Sequence, residues 1–151
     1  MNLSVVIPAY NEENRIKKTL EKILQFLAVK RRVNNIQQYE IIVVDDGSKD
    51  ATKSIVGSVQ RERRLSPDKL KCIVNEENRG KGFSVKRGIL ETRYETILFT
   101  DADLSTPVEE LEKFLPQLQT ADIVIGSRNI EGAKIPIKQP FLRSNLGKIF
   151  P

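Results

Sequence analysis

The sequence predicts an α/β protein: a mainly parallel sheet with helices on both faces. Short β-branched runs alternate with helical patterns along the chain. One run, Glu40-Ile41-Ile42-Val43-Val44, is almost continuously apolar, as expected of a strand covered on both faces. Strand-helix-strand units of this kind imply right-handed crossovers, which make neighbouring strands parallel.

The elements follow in order. Leu3-Ser4-Val5-Val6-Ile7 reads as the first strand and stops at Pro8. Asn11 is a candidate cap for a helix in which Ile16, Leu20, Ile23, Leu24 and Leu27 share one face. After the 40–44 strand, a helix over about 50–63 turns Ile55, Val56 and Val59 inward. Lys71-Cys72-Ile73-Val74 is the third strand, and the helix over 81–92 has Val85, Ile89 and Leu90 inward. Thr96-Ile97-Leu98-Phe99-Thr100 is the fourth strand. Thr106-Pro107-Val108-Glu109 then opens a helix, with Thr at the cap, Pro at the first position and Glu three after the cap. Residues 121–126 read as a fifth strand. From Arg128 the pattern breaks: Gly132, Pro136 and Pro140 suggest loop, and 142–150 a short amphipathic helix. The chain thus divides into an α/β domain over 1–127 and a separate region over 128–151, with no internal repeat.

Composition narrows the chemistry. The 151 residues are 39% apolar and 30% charged, enough for one domain with a core. No apolar run approaches the ~18 residues that cross a bilayer. Met1 leads at once into the first strand with no leader pattern, so a cytoplasmic protein is expected. Histidine is absent and Cys72 is the lone cysteine. That removes Ser-His-Asp and Cys-His catalysis, histidine metal sites and any intrachain disulfide. Carboxylates, Lys, Arg, backbone dipoles or an oxygen-bound metal must carry any catalysis. The net charge of +5 is uneven, with +4 in residues 128–151. A basic end suits an anionic partner such as phosphate, anionic lipid or nucleic acid, and also reads as a solvated tail.

In an open parallel sheet, ligands lie outside the carboxyl ends of the strands. The first strand is followed by Pro8-Ala9-Tyr10-Asn11-Glu12, the second by Asp45-Asp46-Gly47-Ser48, the fourth by Asp101-Ala102-Asp103 and the fifth by Ser127-Arg128. Acids from separate strands therefore converge on one edge, where repulsion opposes a purely structural role. Asp101 and Asp103, two apart in an extended segment, point the same way and can reach one hard cation, Mg²⁺ or Mn²⁺. The other reading is a capping turn, against which Thr106 already stands as cap. Gly47 permits positive φ, Ser48 can cap the next helix, and one of Asp45 and Asp46 can accept from a base N–H; plain turn chemistry is the alternative. Asn78-Arg79-Gly80-Lys81-Gly82 offers amides and a lysine to an anion, but lacks the spacing of the established phosphate loops and also reads as a flexible helix entry. Arg128 can pair with a diphosphate oxygen or be a surface arginine. The acidic edge makes nucleic acid a poor partner.

Taken together, Val6 to Glu13, Val43 to Thr52, Asn78 to Gly82, Asp101 to Pro107 and Gly126-Ser127-Arg128 resemble the large inverting family 2 of glycosyltransferases. The similarity is to the dolichyl-phosphate β-glucosyltransferases, with the dolichyl-phosphate mannose synthases next. It covers essentially the whole chain and implies a GT-A fold, the Rossmann-like nucleotide-diphospho-sugar transferase architecture. The resemblance implies that Pro8, Tyr10, Glu12, Val44 and Asp46 line a nucleoside pocket. It also implies that Asp101 and Asp103 hold Mg²⁺ or Mn²⁺ with Ala102 beside them, that Lys81 contributes to the donor site, and that Arg128 faces the diphosphate or sugar. Asp103 and Arg128 would be the catalytic pair. The implied reaction moves glucose from UDP-glucose to a polyprenyl (dolichyl) phosphate, with GDP-mannose as the alternative donor. A lipid phosphate is already an anion, so no strong general base is needed. Family members continue beyond the position of Pro151, and 128–151 resembles the start of their acceptor side, which leaves a donor-binding module without full activity as a further alternative. The basic region suits peripheral contact with the cytoplasmic face of a membrane.

Overall fold

The computed structural model describes residues 1–32 and 35–126. The chain forms two compact units, Met1–Leu111 and Glu112–Pro151. The boundary expected at 127/128 lies at the limit of the described residues. Arg128, the basic segment and the helix expected over 142–150 lie outside the described residues.

The elements are β1 (Asn2–Ala9), α1 (Ile16–Arg32), β2 (Gln38–Asp45), α2 (Thr52–Glu62), β3 (Leu70–Val74), α3 (Lys81–Leu90) and β4 (Thr96–Phe99). A 3-10 turn at Val108–Glu110 and a single helical turn, α4 (Leu111–Phe114), come after them. All pairings are parallel and the strand order is β3-β2-β1-β4. The chain first builds outward from β1 through β2 to β3, then returns to add β4 on the other side of β1. The switch point therefore lies between β1 and β4. In register, Ala9 pairs with Asp45 and Asp45 with Val74, so three strands end at one level. β4 stops at the level of Val6, where Thr100 N–H donates to the Val6 carbonyl at 3.1 Å.

The core follows from burial on both sheet faces. Leu3, Val5, Val6 and Ile7 of β1 and Ile41 to Val44 of β2 are all fully buried. α1 packs Ile16, Leu20, Ile23, Phe26 and Leu27 inward, close to the expected face. α3 departs from expectation. Its buried residues are Ser84 and Gly88, whereas Ile89 is 39% and Leu90 75% exposed. The cause is close approach: a Cβ on Gly88 would sit 2.4 Å from Val6 Cγ1 and 3.0 Å from Val44 Cγ2. A face of small residues, rather than the large apolar ones, lets α3 lie on the sheet. At the amino edge, buried Glu40 accepts from Ser4 Oγ at 2.7 Å, from Arg93 N–H at 2.6 Å and from Arg93 Nε at 3.1 Å. This satisfied carboxylate fixes the α3–β4 connection.

Two further expectations fail. Residues 121–126 form no strand, and Ile123 and Ile125 are 78% and 81% exposed. A β-branched run suits a segment to a sheet, but a strand exists only where a neighbour supplies ladder hydrogen bonds. The helix signalled at Thr106 is reduced to the 3-10 turn and α4, with Pro107 at the cap position and no side-chain cap bond. Among the described residues no helix is long and apolar enough to cross a membrane. Burial, reinforced by the Asp45 charge, pushes the Cys72 thiol up to about 11.

Gly88→Ala should destabilise the protein by about 1–3 kcal/mol despite alanine's better helix propensity, because the methyl overlaps Val6. Gly57→Ala, whose Cβ would meet only Arg61 Nη1 at 3.5 Å, should be neutral or stabilising by up to about 1 kcal/mol. Paired urea melts read both outcomes.

Candidate functional site

Four loops meet at the carboxyl edge, and hydrogen bonds lace the first three together. The loop after β1 is laced to the loop after β2. Asn11 N–H donates to Ser48 Oγ at 2.9 Å, and Asn11 Oδ1 accepts from Lys49 N–H at 2.9 Å. Glu12 N–H donates to Thr52 Oγ1 at 2.8 Å, Glu13 N–H to Asp50 Oδ2 at 3.0 Å, and Ala51 N–H returns to Glu13 Oε2 at 3.0 Å. Two expected caps are thereby corrected. Asn11, at φ +54°, and Ser48 spend their polar atoms between loops rather than on helix ends. The start of α2 is served by Asp50, whose Oδ1 accepts from Thr52 N–H at 2.9 Å.

The loop after β3 is held by Asp46. Its Oδ1 accepts from Asn75 Nδ2 at 2.6 Å and Arg79 N–H at 3.0 Å, and its Oδ2 from Gly80 N–H at 2.8 Å. Burial pushes the Asp46 carboxyl up, but the bonds from Arg79, Asn75, Ser84 and Gly80 outweigh it and hold the group below its ordinary value. The amides expected to cradle a phosphate at Arg79 and Gly80 are therefore already turned onto the protein's own carboxylate. Gly47, at φ +71°, permits the approach: a Cβ there would meet the Glu77 carbonyl carbon at 2.7 Å. Asn75 and Arg87 escaped the sequence reading. Buried Asn75 also donates to Ser84 Oγ at 3.0 Å and accepts from Arg87 Nη1. The strand-end rule applied to β3, as to the other strands, points directly at Asn75.

The acidic segment after β4 is a turn, not extended chain. Leu104 N–H donates to the Asp101 carbonyl at 3.2 Å, and Leu104 has φ +48°. The alternation argument for two parallel carboxylates thus does not apply. Instead the turn is pinned from α1, where Thr19 Oγ1 donates to the Ala102 carbonyl at 2.5 Å. Ala102 is buried, so its small side chain suits its place between the two acids. Asp103 Oδ1 accepts from Ser105 N–H at 2.8 Å and Ser105 Oγ at 2.7 Å. One Asp103 oxygen is thus engaged in a local turn with Ser105, but it caps no helix, since the next helical turn starts at Val108. Partial burial pushes the Asp103 carboxyl up, and the two Ser105 bonds and the Arg15 charge bring it below its ordinary value. Asp101 is ion-paired: Lys81 Nζ lies 2.7 Å from its Oδ1.

The expected site residues divide accordingly. The structure joins Lys81 to Asp101, and the Asp46 clamp holds the residues that precede Lys81. Pro8 and Val44 are register partners, but Val44 is fully buried toward Gly88, so its side chain offers no surface to a ligand. Tyr10 is 42% exposed at the end of β1. Glu12 Oε2 pairs with Arg15 Nη1 at 3.1 Å, and the same arginine acts on Asp103. The notion that acids here repel without structural use is corrected, since Glu12, Asp45, Asp46 and Asp101 each have a donor of their own. Among the described residues no group of three acidic, His or Cys side chains could enclose a metal. Asp101 and Asp103 supply two hard carboxylates, the set Mg²⁺ or Mn²⁺ takes when phosphates and water complete its shell. The residues fit such an ion on that condition.

Comparison with known proteins places the chain in a family. The glycosyl transferase family 2 model matches residues 4–148. The human dolichyl-phosphate beta-glucosyltransferase is 42% identical over 120 residues, covering 78% of this chain and 36% of the relative. The Dictyostelium discoideum protein of that name is 37% identical over 150 residues, covering 95% and 45%. The chain thus spans less than half the length of these curated relatives. A Pyrobaculum calidifontis mannosyltransferase, solved in complex with GDP-Man and Mn²⁺, aligns at TM-score 0.53 and 30% identity over 68% of this chain and 27% of that one. S. aureus TarS with UDP-GlcNAc aligns at TM-score 0.57 and 28% identity over 78% and 32%. The solved neighbours are GT-A glycosyltransferases, and the chain belongs to glycosyl transferase family 2.

Proposed function

We propose that the carboxyl edge binds a nucleoside-diphosphate sugar with Mg²⁺ or Mn²⁺, and that the protein transfers glucose from UDP-glucose to a polyprenyl (dolichyl) phosphate with inversion. The observation that carries the reading is the 101–104 turn. It follows β4 at the switch point of the sheet, brings two carboxylates and has the Lys81 ammonium against one of them. Relatives named dolichyl-phosphate beta-glucosyltransferase support the transferred glucose and the acceptor, and the Mn²⁺ of the mannosyltransferase complex supports the cation.

The roles follow from position. Pro8, Tyr10 and Glu12 border the nucleoside, where the exposed Tyr10 ring is available to stack on a base. Asp46 acts on the same region through the loop it clamps. Asp101 and Asp103 hold the cation, which when bound stabilises charge on the departing diphosphate. Lys81 adds positive charge beside it, and the family resemblance, not position, assigns Arg128 to the diphosphate or sugar. An acceptor phosphate oxygen bonds to the anomeric carbon as that carbon's bond to the diphosphate breaks. The acceptor is anionic near neutral pH, so no side chain need remove a proton. The basic 128–151 segment suits the acceptor phosphate and the cytoplasmic face of an anionic membrane.

GDP-mannose is the second donor reading, favoured by the GDP-Man complex at 30% identity. A donor-binding module without turnover is the other, favoured by the share of the relatives' length that the chain spans.

In Mn²⁺, UDP-glucose at a hundredfold excess over its Kd should stabilise the fold by about 2.7 kcal/mol and raise Tm by roughly 5–10 °C, with GDP-mannose giving less. The opposite order favours the mannose reading, and no shift with either contradicts donor binding. Radiolabel transfer from UDP-glucose to a short polyprenyl phosphate should require the cation and disappear in Asp103→Ala. Nucleotide binding without transfer identifies the module.

A further inference from the structure

The Lys81–Asp101 contact raises a question of charge. Asp101 is one of the two carboxylates suited to the cation, yet a lysine ammonium already lies 2.7 Å from its Oδ1. An ammonium and a divalent cation compete for the same oxygen, since both are drawn by its charge and repel each other. Lys81 is the first residue of α3, directly after Gly80, whose amide is fixed to Asp46. The root of the side chain is therefore held while its four-carbon stem can turn. Its Nζ lies 5.5 Å from the centre of the Phe99 ring, and its side chain is 60% exposed, so the pair is accessible to solvent and exchangeable. No third carboxylate joins Asp101 and Asp103 among the described residues, so the protein alone makes a poor cation site.

We infer that Lys81 is a tethered counter-ion that occupies Asp101 until the donor arrives, then moves its ammonium to the diphosphate as the divalent cation takes the carboxylate. This rests on the donor-site reading above. The exchange keeps the charge at Asp101 balanced in both states and disfavours metal binding without nucleotide. It predicts effects of opposite sign from one substitution. Lys81 should weaken binding of the bare cation and strengthen binding of the cation with the nucleotide. A purely structural lysine would weaken or strengthen both together.

The experiment measures Mn²⁺ binding by electron paramagnetic resonance, alone and with saturating UDP, and UDP binding by calorimetry in Mn²⁺. The proteins are wild type, Lys81→Met, Lys81→Arg and Lys86→Met, the last removing a charge from the exposed face of α3. Lys81→Met keeps the length of the stem, and its Tm is checked against wild type. It should bind Mn²⁺ alone roughly two- to tenfold more tightly and UDP in Mn²⁺ about tenfold or more weakly. Lys81→Arg should restore both constants toward wild type, and Lys86→Met should leave both unchanged. If Lys81→Met binds bare Mn²⁺ no more tightly, or loses no UDP affinity, the exchange is wrong. If wild type itself shows no Mn²⁺-dependent UDP binding, the donor-site reading falls and the exchange with it. Wild-type binding with no effect of the substitution overturns the exchange alone.

Discussion

The Asp46 carboxylate holds the carboxyl edge together. Four parallel strands end there in loops with no regular structure of their own, and loops need partners to keep one shape. Asp46 supplies three acceptor contacts to the segment after β3, while the Asn11, Glu12 and Glu13 bonds tie the first loop to the second. Its own charge is stabilised in return, since three donors replace water. Everything nearer the reaction depends on this. Lys81 can reach Asp101 because the residue before it is fixed, and Gly47 must be a glycine because the two loops touch there.

The architecture was readable in the sequence because it depends on period and punctuation. The runs at 3–7, 40–44, 71–74 and 96–100 became the four strands, each within a few residues. What the periodicity could not show was proximity. The large residues of α3 suggested a buried Ile89 and Leu90, but Gly88 and Ser84 do the packing because the helix lies too near Val6 for anything larger. The expected strand at 121–126 failed for a related reason: a β-branched run describes a segment, and pairing is a property of two. Of the site, the strand-end rule located the acids correctly, yet their chemistry was legible only in part. Asn11, Ser48, Asp46 and one oxygen of Asp103 bond to groups that are distant in sequence or arise from a turn. No spacing rule encodes such partners. Asn75 occupies a strand end, but its amide carries no charge and its spacing does not encode its partners Asp46, Ser84 and Arg87.

Charge gives the site its logic. A chain without histidine, and with a protonated cysteine, must work with carboxylates and cations. Here most acids are neutralised locally by amides, Arg15 or Lys81, which removes the repulsion that an acidic edge would otherwise suffer. At the 101–104 turn the neutralising group is a solvent-exposed lysine, 2.7 Å from Asp101 Oδ1, and not a buried amide. Under the proposed donor reading, a cation held by two protein carboxylates needs the diphosphate to complete its shell, which would couple metal and nucleotide binding.

The most direct test of the central claim uses the paramagnetism of Mn²⁺ itself. With Mn²⁺ and UDP bound to ¹⁵N-labelled protein, amide signals near the ion broaden away. The account predicts loss at Asp101 to Leu104 and at Gly80 to Gly82, with the amino-edge amides of Gln37, Gln38 and Lys69 still sharp. Broadening centred on the amino edge, or none that depends on UDP, would contradict it.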